Sequence, residues 1–222
     1  MKLVGIIGSP RGMKGATGKL LSATLDAAKA AGAEVTTFSL AELDVKPCRA
    51  CDVCHKTGAC ATKDDFETIK AAVLAADGIV LASPNYIFSV SAQMKALFDR
   101  CCGLVHLQAL EGKYAAAVVT GGGETDMVED YMLHVMRFMG AWTVGSVGAL
   151  GHQLADDAAR SQLLAEAANL GRALVAAIET KRQFPEQEKG RAEFVARMKG
   201  LVTAMKDHWP YEHEYWKSRG RL

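Results

Sequence analysis

The chain has 222 residues, which fits one large domain or one domain with an extension and leaves little room for two full domains. Half of its residues are hydrophobic and 23% are charged, which excludes a globally disordered protein. Its 26 Lys and Arg nearly balance its 25 Asp and Glu, and this net charge of +1 argues against nucleic acid as the main partner.

Short apolar segments alternate with segments of helical periodicity along most of the chain. The predicted strands cover residues 2–7, 34–40, 78–82, 114–120 and part of 141–150, and the predicted helices cover 17–31, 66–76, 91–102, 126–140 and 156–179. Five strand-to-helix alternations predict an α/β fold, a doubly wound five-stranded parallel sheet with helices on both faces. Ligands bind such sheets at the carboxyl ends of the strands, so the loops after the first, third and fourth strands are the candidate site.

The composition changes after about residue 180. Residues 181–222 carry ten Lys and Arg against six Asp and Glu, whereas the first 180 residues carry 16 against 19. The same last segment holds six of the 15 aromatic residues. We therefore expect one domain over residues 1–180 and a C-terminal extension over residues 181–222, made of an amphipathic helix near 186–206 and an irregular aromatic tail.

Four of the six cysteines lie within 13 residues of one another, in the predicted loop 44–64. We expect no signal peptide, and no apolar stretch approaches the ~20 residues that a membrane span requires. The sequence therefore predicts a soluble, cytoplasmic protein without a membrane partner, in which thiols stay reduced. Clustered cysteines in that compartment more often bind metal than form disulfides. The candidate metal ligands are Cys48, Cys51, Cys54 and Cys60.

The spacing of these cysteines narrows the kind of metal site. It is too compact for the usual zinc ribbon, in which a dozen or more residues separate two CxxC pairs. The first three cysteines match the spacing that wraps one iron–sulfur cluster in bacterial ferredoxins. The last spacer has five residues and contains Gly58, which lets the chain turn back, so all four thiolates could hold one 4Fe–4S cluster.

The first loop, residues 8–19, is rich in glycine but lacks a nucleotide-binding motif. It is one residue too long for a Walker A loop, and it lacks the GxGxxG fingerprint of dinucleotide-binding proteins. The hydroxyls of Ser9 and Thr17, the guanidinium of Arg11 and the free N–H groups at a helix start suit a phosphate monoester. The alternative is a plain glycine-rich turn.

The third and fourth loops have compositions that suit a flat ring. Pro84 fixes the backbone of the third loop, and Tyr86 and Phe88 supply two aromatic rings that could line a heteroaromatic ligand. The alternative is that both rings pack in the core or in an interface. The glycines at 121–123 let the backbone approach a ligand closely, or they form a simple turn.

Three motifs occur in order along the chain: GSPR with a threonine at the following helix start, SPNYIFSVSAQMKALFDR, and TGGGETD. Together they resemble the NADPH-dependent FMN reductase family of the flavodoxin-like fold, over about residues 1–150. The resemblance implies FMN as cofactor, with its phosphate in the first loop and its isoalloxazine against the third and fourth loops. Carried over to this sequence, the FMN-binding residues are Ser9, Arg11, Thr17, Gly18, Pro84, Asn85, Tyr86, Ile87, Phe88, Gly121, Gly122 and Gly123.

The four-cysteine spacing resembles that of the iron–sulfur flavoproteins, a branch of the same family. This resemblance implies an FMN-dependent oxidoreductase or electron-transfer flavoprotein that couples FMN to a 4Fe–4S cluster. The electron donor would be NAD(P)H or ferredoxin, and the acceptor a small molecule or a protein. The chemistry takes place at FMN, so no catalytic side chain is predicted. In the family the flavin lies at a subunit interface, which implies a homodimer or homotetramer.

Two other functions stay open. The chain could be a cluster-free NAD(P)H-dependent FMN or quinone reductase, whose cysteines are structural, redox-active or zinc-binding. It could also be a passive flavodoxin-type electron carrier, although flavodoxins are usually shorter and strongly acidic. Outside these sites we interpret Cys101 and Cys102 as packing residues, His55 as a solvated loop residue and Asp64 with Asp65 as a helix cap.

Overall fold

The computed structural model describes all residues, Met1–Leu222, and centres on one five-stranded sheet. All neighbouring strands are parallel, and the spatial order is two, one, three, four, five in chain numbering. This is the flavodoxin-type doubly wound order, so the predicted fold class is confirmed. The strands are β1 (Lys2–Ile7), β2 (Glu34–Ser39), β3 (Gly78–Pro84), β4 (Tyr114–Gly121) and β5 (Trp142–Leu150).

Ten α-helices accompany the strands. The predicted helix 91–102 is interrupted, because the backbone at Cys101 leaves the helical conformation (φ −83°, ψ 8°) between two shorter helices. The helices are α1 (Ala16–Ala30), α2 (Val53–Thr57), α3 (Phe66–Ala75), α4 (Ala92–Arg100), α5 (Cys102–Leu107), α6 (Thr125–Phe138), α7 (Gly151–Ala155), α8 (Asp157–Glu179), α9 (Pro185–Ala204) and α10 (Pro210–Ser218).

Two apolar cores form, one on each face of the sheet. Side chains alternate along β1, so Val4 and Ile6 pack into one core while Leu3 and Ile7 pack into the other. The first core is closed by α3, α4 and α6, and the second by α1 and α8. Burial on both faces explains why the central strands β1, β3 and β4 are nearly continuous apolar runs, and it leaves the loops at the carboxyl edge free to form a site.

The C-terminal extension packs across α5 through a small third core of Leu107, Met198, Val202 and Trp216. The predicted helix near 186–206 is present as α9. After it we predict an irregular tail, whereas the chain forms the helix α10, which begins with a proline at its first position and buries Trp216. No helix of the chain combines the length and the apolar character that crossing a bilayer requires.

Candidate functional site

The loops after β1, β3 and β4 meet at the carboxyl edge of the sheet. Asn85 joins the last two, because its backbone N–H donates to the Thr120 carbonyl at 2.7 Å and its Nδ2 donates to the Gly123 carbonyl at 2.8 Å. Thr17, at the start of α1, places its Oγ1 2.6 Å from Oγ1 of Thr120. The three motifs, which lie far apart in sequence, therefore lie side by side in the fold.

The first loop is a tight turn whose polar groups are partly buried. Ser9 and Thr17 are buried, and Oγ of Ser9 accepts a hydrogen bond from the Arg11 N–H at 3.2 Å. Gly18 lies in the first turn of α1, which packs against the loop, and a Cβ added there would overlap the carbonyl of Met13. Glycine at this position thus allows the close approach that shapes the loop.

A cationic cleft of about 510 Å³ lies beside this loop. Arg11 lines it together with Lys14, Lys19 and Arg160, so four cations surround one opening. Such a concentration of positive charge attracts an anionic group. Of the four, only Arg11 is predicted from the sequence: Lys14 and Lys19 belong to the same glycine-rich loop, but Arg160 arrives from α8 and has no local signal.

The third loop combines backbone strain with exposed apolar side chains. Ile87 and Phe88 adopt left-handed backbone conformations (φ +50° and +59°), which non-glycine residues seldom adopt and which cluster at functional sites. Ile87 is 91% exposed and Phe88 64%, and Tyr86 is exposed as well, so the alternative of core packing is wrong. Pro84 is buried at the end of β3, and the buried Oδ1 of Asn85 has no hydrogen-bond partner. At the carboxyl edge of the sheet, this loop therefore presents exposed apolar side chains and a hydrogen-bond acceptor without a partner.

The fourth loop leaves open space beside its glycines. Gly121 packs near Asn85, where an added Cβ would lie 3.0 Å from the Asn85 Cβ. A Cβ at Gly122 or at Gly123 would meet nothing within 4 Å. Glu124, which ends the loop, is again left-handed (φ +47°). A flat ligand could thus approach the backbone of this loop closely.

The four cysteines of the predicted metal motif line one cavity. They are free thiols, and the cavity that they share measures about 190 Å³. Ala50 and Asp52 take left-handed conformations (φ +48° and +57°), which turn the chain between successive cysteines. Cys48 and Cys51 are exposed, whereas Cys54 and Cys60 are half-buried.

A buried ion pair ties the two ends of the cysteine loop together. Arg100 Nη1 donates to the Asp64 carboxylate and, at 3.3 Å, to the Lys46 carbonyl, while Nη2 donates to the Thr62 carbonyl at 3.3 Å. The Asp64 carboxylate also accepts from the N–H groups of Lys46 and Phe66 at 3.0 and 3.1 Å. Asp64 therefore does more than cap a helix, because it is the buried counter-ion of Arg100.

The surroundings of the Arg100–Asp64 pair lower the pKa of Asp64 and leave one N–H donor of Arg100 without an acceptor. Burial alone would raise the pKa of Asp64, but the hydrogen bonds from Arg100 and from the backbone of Lys46 and Phe66 hold it below its ordinary value. Nε of Arg100 is buried without an acceptor, and Arg100 lines the cysteine cavity. A buried N–H group therefore remains available beside the thiols.

A second polar cluster corrects two of our interpretations. Cys102 is exposed rather than packed in the core, and its Sγ lies 3.6 Å from Nε2 of His106, one helical turn later. His55 is buried rather than solvated, and its Nδ1 lies 2.5 Å from Oε1 of Glu212. The other oxygen of Glu212 lies 3.0 Å from Nδ1 of His106, and Trp209 lies against both imidazole rings.

The pKa values of this cluster reflect its internal hydrogen bonds. Bonds with His106 and His55 lower the pKa of the Cys102 thiol to about 6, whereas burial raises that of its neighbour Cys101 to about 12. Hydrogen bonds to Cys102, Cys54 and Glu212 raise the pKa of His55. The i, i+4 spacing of Cys102 and His106 in the sequence indicates that these two side chains share a helix face. No sequence pattern connects either residue with Glu212, which lies more than 100 positions away.

Comparison with known proteins agrees with this arrangement. The family model described as NADPH-dependent FMN reductase matches residues 1–155. An iron–sulfur flavoprotein of Archaeoglobus fulgidus is 32% identical over 226 residues, which cover 99% of each chain. The chain belongs to the NADPH-dependent FMN reductase family, in its iron–sulfur flavoprotein branch. An iron–sulfur flavoprotein of Methanosarcina thermophila is 33% identical, over 72% of this chain and 92% of the relative.

Solved structures share the fold of this chain. The apo form of an NADH:FMN oxidoreductase superposes with a TM-score of 0.59 at 24% identity, over 84% of this chain and 92% of that one. A flavodoxin from the domain Archaea superposes with a TM-score of 0.54 at 14% identity, over 81% of this chain and 99% of that one. These similarities establish the flavodoxin-like fold. The family match, in turn, supports an oxidoreductase with FMN as its cofactor.

Proposed function

We propose that this chain is an FMN-dependent oxidoreductase that couples its flavin to a 4Fe–4S cluster held by Cys48, Cys51, Cys54 and Cys60. The observation that carries this proposal is that all four thiols line a single cavity and none is consumed in a disulfide. Four cysteine thiolates are the ligand set that such clusters take. The names of the relatives in Archaeoglobus and Methanosarcina support it further.

The surroundings of the cavity fit a cluster. Arg49 and Arg100 line the cavity, and their positive charge would partly compensate the negative charge of four thiolates. The Nε–H of Arg100 is buried without an acceptor, and a sulfur atom in the cavity would satisfy it. Hydrogen bonds to the sulfurs of iron–sulfur clusters tune their reduction potential, so we assign this tuning role to Arg100.

The three loops at the carboxyl edge fit FMN, and we propose residues 1–180 as the FMN-binding domain. In the first loop Arg11 and the start of α1 would bind the phosphate. In the third loop the buried Oδ1 of Asn85 would offer an acceptor to the ring system, and Tyr86 and Phe88 would shield the ring from water. The full proposed set is Ser9, Arg11, Thr17, Gly18, Pro84, Asn85, Tyr86, Ile87, Phe88, Gly121, Gly122 and Gly123.

When bound, FMN supplies the transfer of electrons either as a hydride or one at a time. The residues of this chain bind it, orient it and exclude water from it. We assign NAD(P)H as the donor, because the family implies a nicotinamide; ferredoxin is the alternative donor, and a small molecule or a protein is the acceptor. The exposed Ile87 and Phe88 support a homodimer or homotetramer with subunits meeting at the flavin loop.

One experiment separates the proposal from a cluster-free reductase. The chain is purified anaerobically, and its FMN, iron and acid-labile sulfide are measured together with its absorption spectrum. We expect one FMN and about four iron atoms per chain. Cys48→Ser should lose most of the iron and keep FMN, whereas Cys102→Ser, at another exposed cysteine outside the motif, should keep both. Full FMN without iron in the unaltered chain would leave the cluster-free reductase as the function.

A further inference from the structure

Three potential metal ligands converge beside the cysteine loop without belonging to its motif. The ligand atoms of His55, Cys102 and His106 all lie within 4.8 Å of one another. Sγ of Cys102 is 3.6 Å from Nε2 of His106. A tetrahedral zinc ion with Zn–S near 2.3 Å and Zn–N near 2.0–2.1 Å places its sulfur and nitrogen ligands about 3.6 Å apart. The spacing of this pair is thus already the one that a shared ion requires.

Glu212 fixes the orientation of both imidazoles. Its two oxygens are buried and accept from Nδ1 of His55 and Nδ1 of His106, which leaves Nε2 of each ring as the free nitrogen. Histidines that bind metal through one nitrogen almost always donate their other N–H to a carboxylate or carbonyl. Trp209 lies against both rings, with centroid distances of 4.7 and 5.1 Å, and restricts their rotation.

We propose that His55, Cys102 and His106 bind a divalent cation of the zinc class, with a ligand set distinct from the four cysteines of the motif. One thiolate and two imidazoles suit Zn²⁺ better than hard cations such as Mg²⁺ or Ca²⁺. Cys102 binds as the thiolate, and binding releases any proton held on its Sγ or on the two Nε2 atoms, while both Nδ1–H groups continue to donate to Glu212. Cys102 is exposed, so the fourth coordination position faces solvent and takes a water molecule.

The site would join three parts of the chain that are distant in sequence. His55 lies on α2 within the cysteine loop, Cys102 and His106 lie on α5, and Glu212 belongs to the extension helix α10. Two alternative arrangements give different results in the test. In one, these side chains form a metal-free hydrogen-bond network; in the other, Cys102 is an additional thiolate of the iron–sulfur cluster, since it lines the same cavity.

The test uses the full-length chain with two of the four motif cysteines removed, so that the motif no longer offers four thiolates. Cys48→Ser combined with Cys51→Ser changes two exposed thiols and leaves the three proposed ligands intact. Titration with Co²⁺ should load one ion per chain with a thiolate-to-cobalt charge-transfer band, and Zn²⁺ should displace it. Adding Cys102→Ser should abolish the band and weaken Co²⁺ binding at least about tenfold. No Co²⁺ binding by the double variant, or equal binding by the triple variant, would overturn the proposal.

Two further measurements complete the test. In the otherwise unaltered chain, Cys102→Ser should leave iron and FMN unchanged; loss of iron would instead make Cys102 a ligand of the cluster and overturn the distinct ligand set. Glu212→Gln in the double variant should weaken Co²⁺ binding by about 10- to 100-fold, because it removes the carboxylate that orients both imidazoles. The exposed Glu214→Gln serves as the matched control and should leave the affinity unchanged.

Discussion

The buried pair of Arg100 and Asp64 predicts that the cysteine loop depends on one carboxylate. Asp64→Asn preserves shape but removes the charge opposite Arg100, and both side chains are almost completely buried. Removing one partner of a buried pair costs about 3–5 kcal/mol, because the remaining ion is left without compensation. The carboxylate also accepts from the backbone of Lys46 and Phe66, and an Asn can replace only one of these acceptors. We therefore expect Asp64→Asn to lower the free energy of unfolding by an amount in the upper part of that range.

Urea unfolding of the metal-free chain measures this loss. The control is Asp99→Asn, which removes the exposed partner of Lys95 on the same helix as Arg100 and should cost no more than about 1 kcal/mol. If Asp64→Asn lowers the free energy of unfolding no more than Asp99→Asn does, the pair does not hold the loop and the reasoning fails. A second consequence is that the Asp64 variant should lose iron under conditions in which the control retains it.

The same pair predicts how stability depends on pH. The folded-state pKa of Asp64 lies below its ordinary value of 3.8, so the carboxylate binds protons more readily in the unfolded chain. Its contribution to stability is complete above that ordinary value and is lost as the pH falls through the lower folded value. The unfolding free energy of Asp64→Asn should consequently vary less with pH below about 4 than that of the unaltered chain. An identical acid dependence in both would contradict the assignment.

Two further predictions concern glycines at close contacts. Gly18→Ala should raise the Kd of FMN about tenfold, because a Cβ there collides with the Met13 carbonyl and overpacking costs about 1–3 kcal/mol. Fluorescence titration of flavin measures this Kd. An unchanged Kd would show that this turn does not take part in FMN binding. Gly171→Ala should lower the free energy of unfolding by about 1–3 kcal/mol, since its Cβ would overlap the Thr24 carbonyl of the facing helix. Gly190→Ala, with open space around it, should raise that free energy by about 0.5–1 kcal/mol. Thermal or urea unfolding measures both changes. Equal effects of the last two substitutions would refute the packing argument.

Local patterns predict those parts of the fold and site that local sequence controls. Buried parallel strands are short apolar runs, and the loops after them are marked by glycine, proline and asparagine, so the sheet and its three edge loops can be predicted directly. The compact cysteine spacing likewise anticipates that four thiols share one cavity. These features share a cause, because each depends on residues within a few positions of one another.

Features that depend on packing between distant segments could not be predicted from the sequence. Arg160 enters the cationic cleft only because α8 packs on α1, and a helical arginine alone gives no sign of that. His55 looks solvated until α10 covers it, and Glu212 has no neighbour in sequence that indicates its buried role. The helix α10 replaces the predicted irregular tail because the burial of Trp216 against α5, rather than a strong local pattern, stabilises it.

The contact between Glu212 and His55 also orders events during synthesis. The two residues are 157 positions apart, and at about 5–20 residues per second the ribosome needs roughly 8–30 s to add the intervening chain. From Cys60 onward, which is nearly all of that interval, the four cysteines have been made, while the helix that covers His55 has not. The cysteine loop is therefore complete well before the helix that buries His55, and a chain that terminates before α10 keeps His55 uncovered.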